Sequence, residues 1–391
     1  MKRWIPEPGW VSVNPEHKTI FYALRFTIYA SRFTLYALRF TIYALRFTIY
    51  DLRFTVLTMN KKAISLISGG LDSAVATKMI IDQGIEVVGL HFTSIFASKR
   101  DKERGHRAFK TAKELGIEII SKTKGDEYIE IIKNPRYGYG KNMNPCIDCR
   151  IYMLNLTREM MPEIGASFVV TGEVLGQRPM SQRRPMIELI EKRSELTGLI
   201  VRPLSAKLFP PSIPEQEGIL DREKLLGHAG RGRQVQYELV EKYHLKEFDM
   251  PGGGCLLTDP IFSMKLKDLM ATDPAYTTKD IELLSMGRHF RVSPSAKLVV
   301  GRNERENEQL VSFAGGPYIR IEPVSFRGPV GILKAYTPDE GTLLMSARIL
   351  ARYGKDVSSN PTVDIHEGTT RSFSFEMCEI DSDALLIQQE A

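Results

Sequence analysis

Ala63-Ile64-Ser65-Leu66-Ile67-Ser68-Gly69-Gly70-Leu71-Asp72-Ser73 decides how this chain is read. Ala63–Ile67 is an apolar run of strand length, and the segment from about Ser73 to Asp82 has helical spacing. The unit is therefore strand, glycine loop, helix. Two glycines let the backbone approach an anion without Cβ obstruction, and the N-terminus of the following helix offers free N–H groups and partial positive charge. Asp72 is placed to hold Mg²⁺ bridging phosphates, and Ser68 and Ser73 can donate hydroxyls to them. Gly, Asp and Ser also favour ordinary strand-to-helix turns. Gly-Gly alone would decide nothing, but the whole hexapeptide in this setting points to phosphate. It is not the Gly-x-x-x-x-Gly-Lys-Ser/Thr loop.

Outward from the loop, strands are expected at Glu86–Phe92, Ile117–Ser121, Ser167–Thr171 and Leu199–Pro203, with helices over about 101–115 and 149–161. Strands alternating with helices predict an α/β fold, a parallel sheet with helices on both faces, whose ligand sits beyond the carboxyl ends of the strands. After Asp259-Pro260 a helical connector over 261–287 is expected. A smaller α+β domain follows over 288–365, with strands at Lys297–Gly301, Tyr318–Ile321 and Val330–Ala335 and helices at about 303–313 and 339–353. The tail 366–391 is weakly patterned.

The first 58 residues read differently. Ala-Leu-Arg-Phe-Thr-Ile-Tyr at 23–29 recurs with small changes at 30–36, 37–43, 44–50 and 51–57. Leu, Phe, Ile and Tyr occupy unit positions 2, 4, 6 and 7, which alternates like a strand and draws no coiled-coil stripe. No continuous apolar region leads to a small-residue cleavage site, so a signal peptide fits poorly. Near-identical repetition is read as a non-native or disordered extension, and the domain 59–260 as starting at Met59.

The net charge of +6 invites a nucleic-acid reading, but eight basic against three acidic residues in 1–58 carry +5 of it. Bulk charge is thus no argument for RNA, and any basic surface must be local. No stretch approaches the roughly 18 apolar residues of a membrane helix. Four cysteines in 391 residues argue against a secreted disulfide scaffold. The expected compartment is cytoplasmic.

Asn144-Pro145-Cys146-Ile147-Asp148-Cys149-Arg150 precedes the expected helix, and Gly252-Gly253-Gly254-Cys255 lies 106 residues beyond Cys149. Cys146, Cys149 and Cys255 are the candidate catalytic and metal-binding thiols. Three thiolates suit three irons of a [4Fe–4S] cluster, leaving the fourth iron open. A persulfide on one cysteine with another resolving it, a structural zinc, and a buried Cys255 unrelated to the pair also remain open. Cys378 is read as a bystander.

The loop resembles the PP-loop of the ATP pyrophosphatases, which cleave ATP between the α and β phosphates and pass AMP to a substrate oxygen. Thr171-Gly172-Glu173-Val174-Leu175-Gly176-Gln177 is similar to the corresponding segment of ThiI-type tRNA 4-thiouridine synthetases. With Arg202-Pro203-Leu204, it places residues 60–260 nearest the ThiI/MnmA-like thiolases. The resemblance implies that Ser68, Gly69, Gly70, Asp72 and Ser73 bind ATP and Mg²⁺, that Thr171 and Gly172 lie by the nucleotide, and that the three cysteines handle sulfur. It departs in showing no THUMP-type or rhodanese domain, and its cysteines are more like those of iron–sulfur-dependent thiolases.

Lys297-Leu298-Val299-Val300-Gly301-Arg302-Asn303 through Gly354 looks like an NFACT-R type RNA-associated domain. Arg136-Tyr137-Gly138-Tyr139-Gly140-Lys141, Arg183-Arg184 and His228-Ala229-Gly230-Arg231-Gly232-Arg233 each suit base stacking or phosphate binding, and singly each reads as a solvated loop. Together they make tRNA the expected substrate, with ATP, Mg²⁺ and a sulfur donor as the other participants. The rivals are a PP-loop enzyme adenylating a small metabolite and a non-catalytic RNA-binding iron–sulfur protein. Homodimerisation stays open.

Overall fold

The computed structural model describes residues 59–250 and 255–387, together with Thr41. Apart from that threonine, the heptad repeat and its reading lie outside the described residues, as do Gly252–Gly254. From Lys61 onward the chain forms one compact unit. Among the described residues no helix is long and apolar enough to cross a membrane.

The chain begins with β1 (Lys62–Leu66), α1 (Leu71–Ile81), β2 (Glu86–Thr93), α2 (Lys99–Leu115), β3 (Ile119–Thr123), α3 (Asp126–Lys133), α4 (Cys146–Ile164), β4 (Phe168–Thr171), α5 (Arg184–Arg193) and β5 (Ile200–Val201). The five strands make a parallel sheet in the order β3-β2-β1-β4-β5. β1 is central, and Ala63, Ile64, Ser65 and Leu66 are all buried, as a parallel strand covered on both faces requires. The chain runs outward from β1 to β3, then returns to the other side through β4. The switch point of the sheet therefore falls between β1 and β4, where Leu66 is registered with Thr171.

Among the boundaries that differ from the sequence expectation, three do so for a plain local reason. The third strand starts at Ile119, because the Ile117 amide still closes α2 on the Ala112 carbonyl. The fifth shrinks to two residues, since Arg202 already opens a turn closed by the Ser205 amide. The fourth helix begins at Cys146, its first turn closed by the Cys149 amide on the Pro145 carbonyl at 2.8 Å. Both cysteines therefore stand on the helix itself. Gly165, with φ at +74°, ends it in the left-handed conformation that glycine tolerates.

Short helices α6 (Ile213–Gln216) and α7 (Gln234–Tyr243) follow, then α8 (Pro260–Thr272) and α9 (Thr278–Leu283) in the stretch expected to be a helical connector. The last part comprises β6 (Arg288–Ser293), β7 (Ala296–Val300), α10 (Glu304–Val311), β8 (Tyr318–Pro323), β9 (Gly331–Lys334), α11 (Glu340–Arg352), β10 (Thr362–Glu367), β11 (Thr369–Ser374) and α12 (Ser382–Leu385). Its six strands form a second, antiparallel sheet in the order β11-β10-β8-β9-β7-β6. Phe290, Leu298, Ile319, Leu333 and Val363 from the strands share a buried cluster with Ile349 and Leu350 from α11. The weakly patterned tail needs correcting: β10 and β11 pair across Gly368, so the small domain runs well past residue 365. β11 is nearly all exposed, which left no apolar period for the sequence to show.

Candidate active site at the carboxyl end of the first strand

Gly69 is buried with φ at +75°, a conformation that lets the chain turn sharply out of β1. The loop is then fixed by its own hydroxyls. Ser73 Oγ donates to the Gly70 carbonyl at 2.9 Å and lies 3.2 Å from Ser68 Oγ, which accepts from the Gly70 amide at 3.3 Å. Asp249 clamps the outside: its amide donates to the Gly69 carbonyl at 2.8 Å, and its carbonyl accepts from Leu71 at 3.2 Å. Gly70 caps α1 with no side-chain bond. Among the described residues the amides of Asp72 and Ser73, in the first turn of α1, have no acceptor, and such first-turn N–H groups are the ones a helix offers to an anion.

The Thr-Gly-Glu segment meets this loop directly. A Cβ on Gly172 would fall 2.6 Å from the Asp72 carbonyl carbon and the Ser73 nitrogen, so only glycine fits there. Ser68, Gly69, Gly70, Asp72, Ser73, Thr171 and Gly172 thus adjoin one another at the ends of β1 and β4. Asp72 accepts from Gln236 Nε2 at 3.2 Å and lies 3.8 Å from Arg233 Nε. A half-buried carboxylate at the mouth of the loop fits the chemistry of a Mg²⁺ ligand.

Arg233 belongs to the basic loop 228–233, which is anchored beside the site: the Gly230 amide donates to the Leu175 carbonyl at 2.7 Å. Arg184 is differently employed, donating to the Leu208 carbonyl and lying over the Phe209 ring. The aromatic loop 136–141 is also tied down. The Arg136 and Tyr137 amides donate to the Asp148 carboxylate, both at 3.1 Å, which fixes that loop to the first turn of α4.

Cys255 is brought to α4 by short backbone ties. The Leu256 amide donates to Phe96, the Met143 amide to Leu257, and Asn142 Nδ2 to the Thr258 carbonyl at 2.7 Å. Cys149 and Cys255 pack against one buried cluster that includes Phe96, Tyr128, Leu257 and Phe262. Tyr128 is the shared neighbour: burial pushes its hydroxyl up, and Cys149, Cys255 and Cys146 push it further. It keeps its proton and bonds Cys149.

The two helix cysteines are electrostatically unequal. Burial alone would raise Cys149, but the Lys124 ammonium, 3.1 Å from its Sγ, and the Tyr128 hydroxyl outweigh it and hold the thiol below its ordinary range. Burial and the neighbouring Cys149 push Cys146 up. Cys149 is the more acidic thiol of the pair. Lys124 and Tyr128 went unread in the sequence, though Lys124 follows β3 at the edge of the sheet where ligands gather.

The cysteine pocket and the phosphate loop adjoin. Arg150, next to Cys149, makes an ion pair at 2.9 Å with Glu173, next to Gly172. Glu173 also pairs with Arg202 at 3.0 Å, and Arg202 with Glu191. Burial would raise Glu173, but Arg150 and Arg202 hold its carboxyl below the usual range. Exposed Arg178 stands within electrostatic reach of Arg150, Cys146, Glu173 and Asp72 together. Among the described residues no three Cys, His, Asp or Glu side chains are disposed to hold a metal ion.

Residues 58–207 match the family model described as thiamine biosynthesis protein (ThiI), and residues 287–383 that described as NFACT protein RNA binding domain. A probable tRNA sulfurtransferase of Thermococcus kodakarensis is 26% identical over 42% of this chain and 41% of its own length. The tRNA-specific 2-thiouridylase MnmA of Petrotoga mobilis is 31% identical over 30% and 36%. A crystal structure of a 4-thiouridine synthetase–RNA complex with bound ATP has 22% identity over 46% of this chain and 50% of that one, with a TM-score of 0.31. The chain spans less than half the length of these curated relatives. Residues 58–207, which hold the glycine loop, are thus similar to the ThiI model, and residues 287–383 to the NFACT RNA-binding model.

Proposed function

We propose that this chain is an ATP-dependent tRNA sulfurtransferase that adenylates a uridine carbonyl oxygen and then replaces AMP with sulfur carried on Cys149. The observation that carries the reading is the junction of the two sites. Arg150 and Glu173 tie the thiolate helix to the strand end beside the phosphate loop, and Arg178 stands within electrostatic reach of Asp72 and Cys146. The named relatives and the two matched domains support tRNA as substrate.

The Gly69–Ser73 amides and Arg178 receive the phosphates of ATP. The uridine oxygen attacks the α-phosphorus and pyrophosphate leaves, its charge met by the loop N–H groups. A Mg²⁺ ion held by Asp72 would supply Lewis-acid charge neutralisation there. A persulfide-bearing carrier passes its outer sulfur to the Cys149 thiolate. That terminal sulfur attacks the activated carbon, the carbon–oxygen bond breaks, and AMP departs. Cys146 or Cys255 then attacks Cys149 Sγ, releasing the thiouridine and leaving a disulfide that a thiol reductant reopens.

Asp72→Ala should lower tRNA-stimulated pyrophosphate release by about 10²-fold or more. Cys149→Ala should keep that release and lose thiolated product. Undiminished thiolation in either variant sinks the scheme, and stimulation by a small metabolite instead of tRNA would move it to another substrate. A cluster-type visible absorption in anaerobically purified protein would overturn the persulfide route.

A further inference from the structure

A second hollow, of about 220 Å³, lies between α8, α9 and the β6–β7–β9 side of the antiparallel sheet. Its apolar surfaces come from Leu269, Leu283, Leu284 and Val299, and its polar lining includes His289, Arg291, Lys297 and Lys334. The cations are held in place. Arg291 Nη2 lies 2.6 Å and Lys297 Nζ 3.0 Å from Asp268 Oδ2, and Lys334 Nζ lies 2.6 Å from Asp280 Oδ1.

His289 is the informative member. It is wholly buried, and its Nε2 lies 2.7 Å from the Met286 carbonyl. That nitrogen must carry the ring hydrogen, so Nδ1 is a bare acceptor, and it has no partner. Burial, with Lys265 and Lys297 close by, keeps the imidazole neutral. A buried acceptor without a donor is uncommon and asks for one. The hollow thus combines apolar walls, an unmet acceptor and a nearby ammonium donor, and Tyr336 presents a ring 63% exposed at its lining. A flat ring with adjacent donor and acceptor atoms on its edge answers all of these, and nucleobases have that edge.

We propose that this hollow takes one unstacked base of single-stranded RNA, with a base N–H donating to His289 Nδ1, a base carbonyl accepting from Lys297 and Tyr336 stacking alongside. The volume suits one base and its sugar and excludes a helix. His289, Lys297 and Tyr336, the groups that would meet the base, all lie in the segment 287–383 that matches an RNA-binding domain, while α8 and α9 supply the facing wall, and the proposal stands whether or not the sulfur chemistry does.

The test uses the full chain and fluorescence anisotropy. The probes are a short mixed-sequence single-stranded RNA, its abasic backbone of equal length, and free nucleosides as competitors. Wild type should prefer the base-bearing strand by about tenfold or more, the scale of one lost base contact. Ala275→Trp, an exposed lining position, should abolish that preference without changing the melting temperature, and Tyr336→Ala should reduce it. His289→Leu should do the same provided its melting temperature holds. Equal affinity for the abasic strand, or an unaffected Ala275→Trp variant, would overturn the proposal and leave the hollow to water. Free nucleosides competing as well as the strand would reassign it from RNA to a small molecule.

Discussion

At the scale of single residues, Gly172 and Cys149 set the terms. Gly172→Ala inserts a methyl group 2.6 Å from the Ser73 nitrogen, so the phosphate loop must shift. Pyrophosphate release should fall by about 10²-fold, the usual cost of misplacing reacting groups by an ångström, with circular dichroism unchanged. Cys149 titrates below an ordinary thiol because Lys124 and Tyr128 favour its charged form, so alkylation of Cys149 should proceed at lower pH than that of Cys146. Lys124→Met removes the nearest cation and should move the Cys149 profile to higher pH, as peptide mapping after pulsed alkylation would show. That the loop residues stand together was legible because they share one local string. Lys124, Tyr128 and Arg178 were not, because their roles arise only when distant segments close on α4.

At the scale of elements, the parallel sheet was readable from its apolar runs, and its errors sit where a helix or turn captures the end of a strand, through the Ile117 amide and the Arg202 carbonyl. The buried group Arg150–Glu173–Arg202–Glu191 was not readable, since charged residues in a sequence default to the surface. Glu173→Gln leaves Arg202, 4% exposed, without its principal carboxylate. Breaking such a pair from one side should destabilise by about 3–5 kcal/mol, measurable as a lower denaturation midpoint. The β10–β11 hairpin escaped notice for a simpler reason: an edge strand exposed along nearly its whole length carries no periodic signal.

At the scale of the whole molecule, acid should loosen the part built on the antiparallel sheet through His289. Its folded imidazole titrates well below the 6.5 of the unfolded chain. The unfolded state therefore binds more protons as pH drops below 6.5, and the stability held above that value is lost on the way down. His289→Gln should flatten the acid limb of the melting temperature against pH relative to wild type. Charge distribution was legible at this scale only by subtraction, since the repeat carries most of the net charge and hides how nearly neutral the remainder is. The bond between Arg150 and Glu173 reaches further than stability. It is the strut between the end of β4 and the helix that carries Cys146 and Cys149. On the proposed scheme, cutting it by Arg150→Met should leave each half of the chemistry intact but uncoupled, so that nucleotide is spent on RNA that is never thiolated.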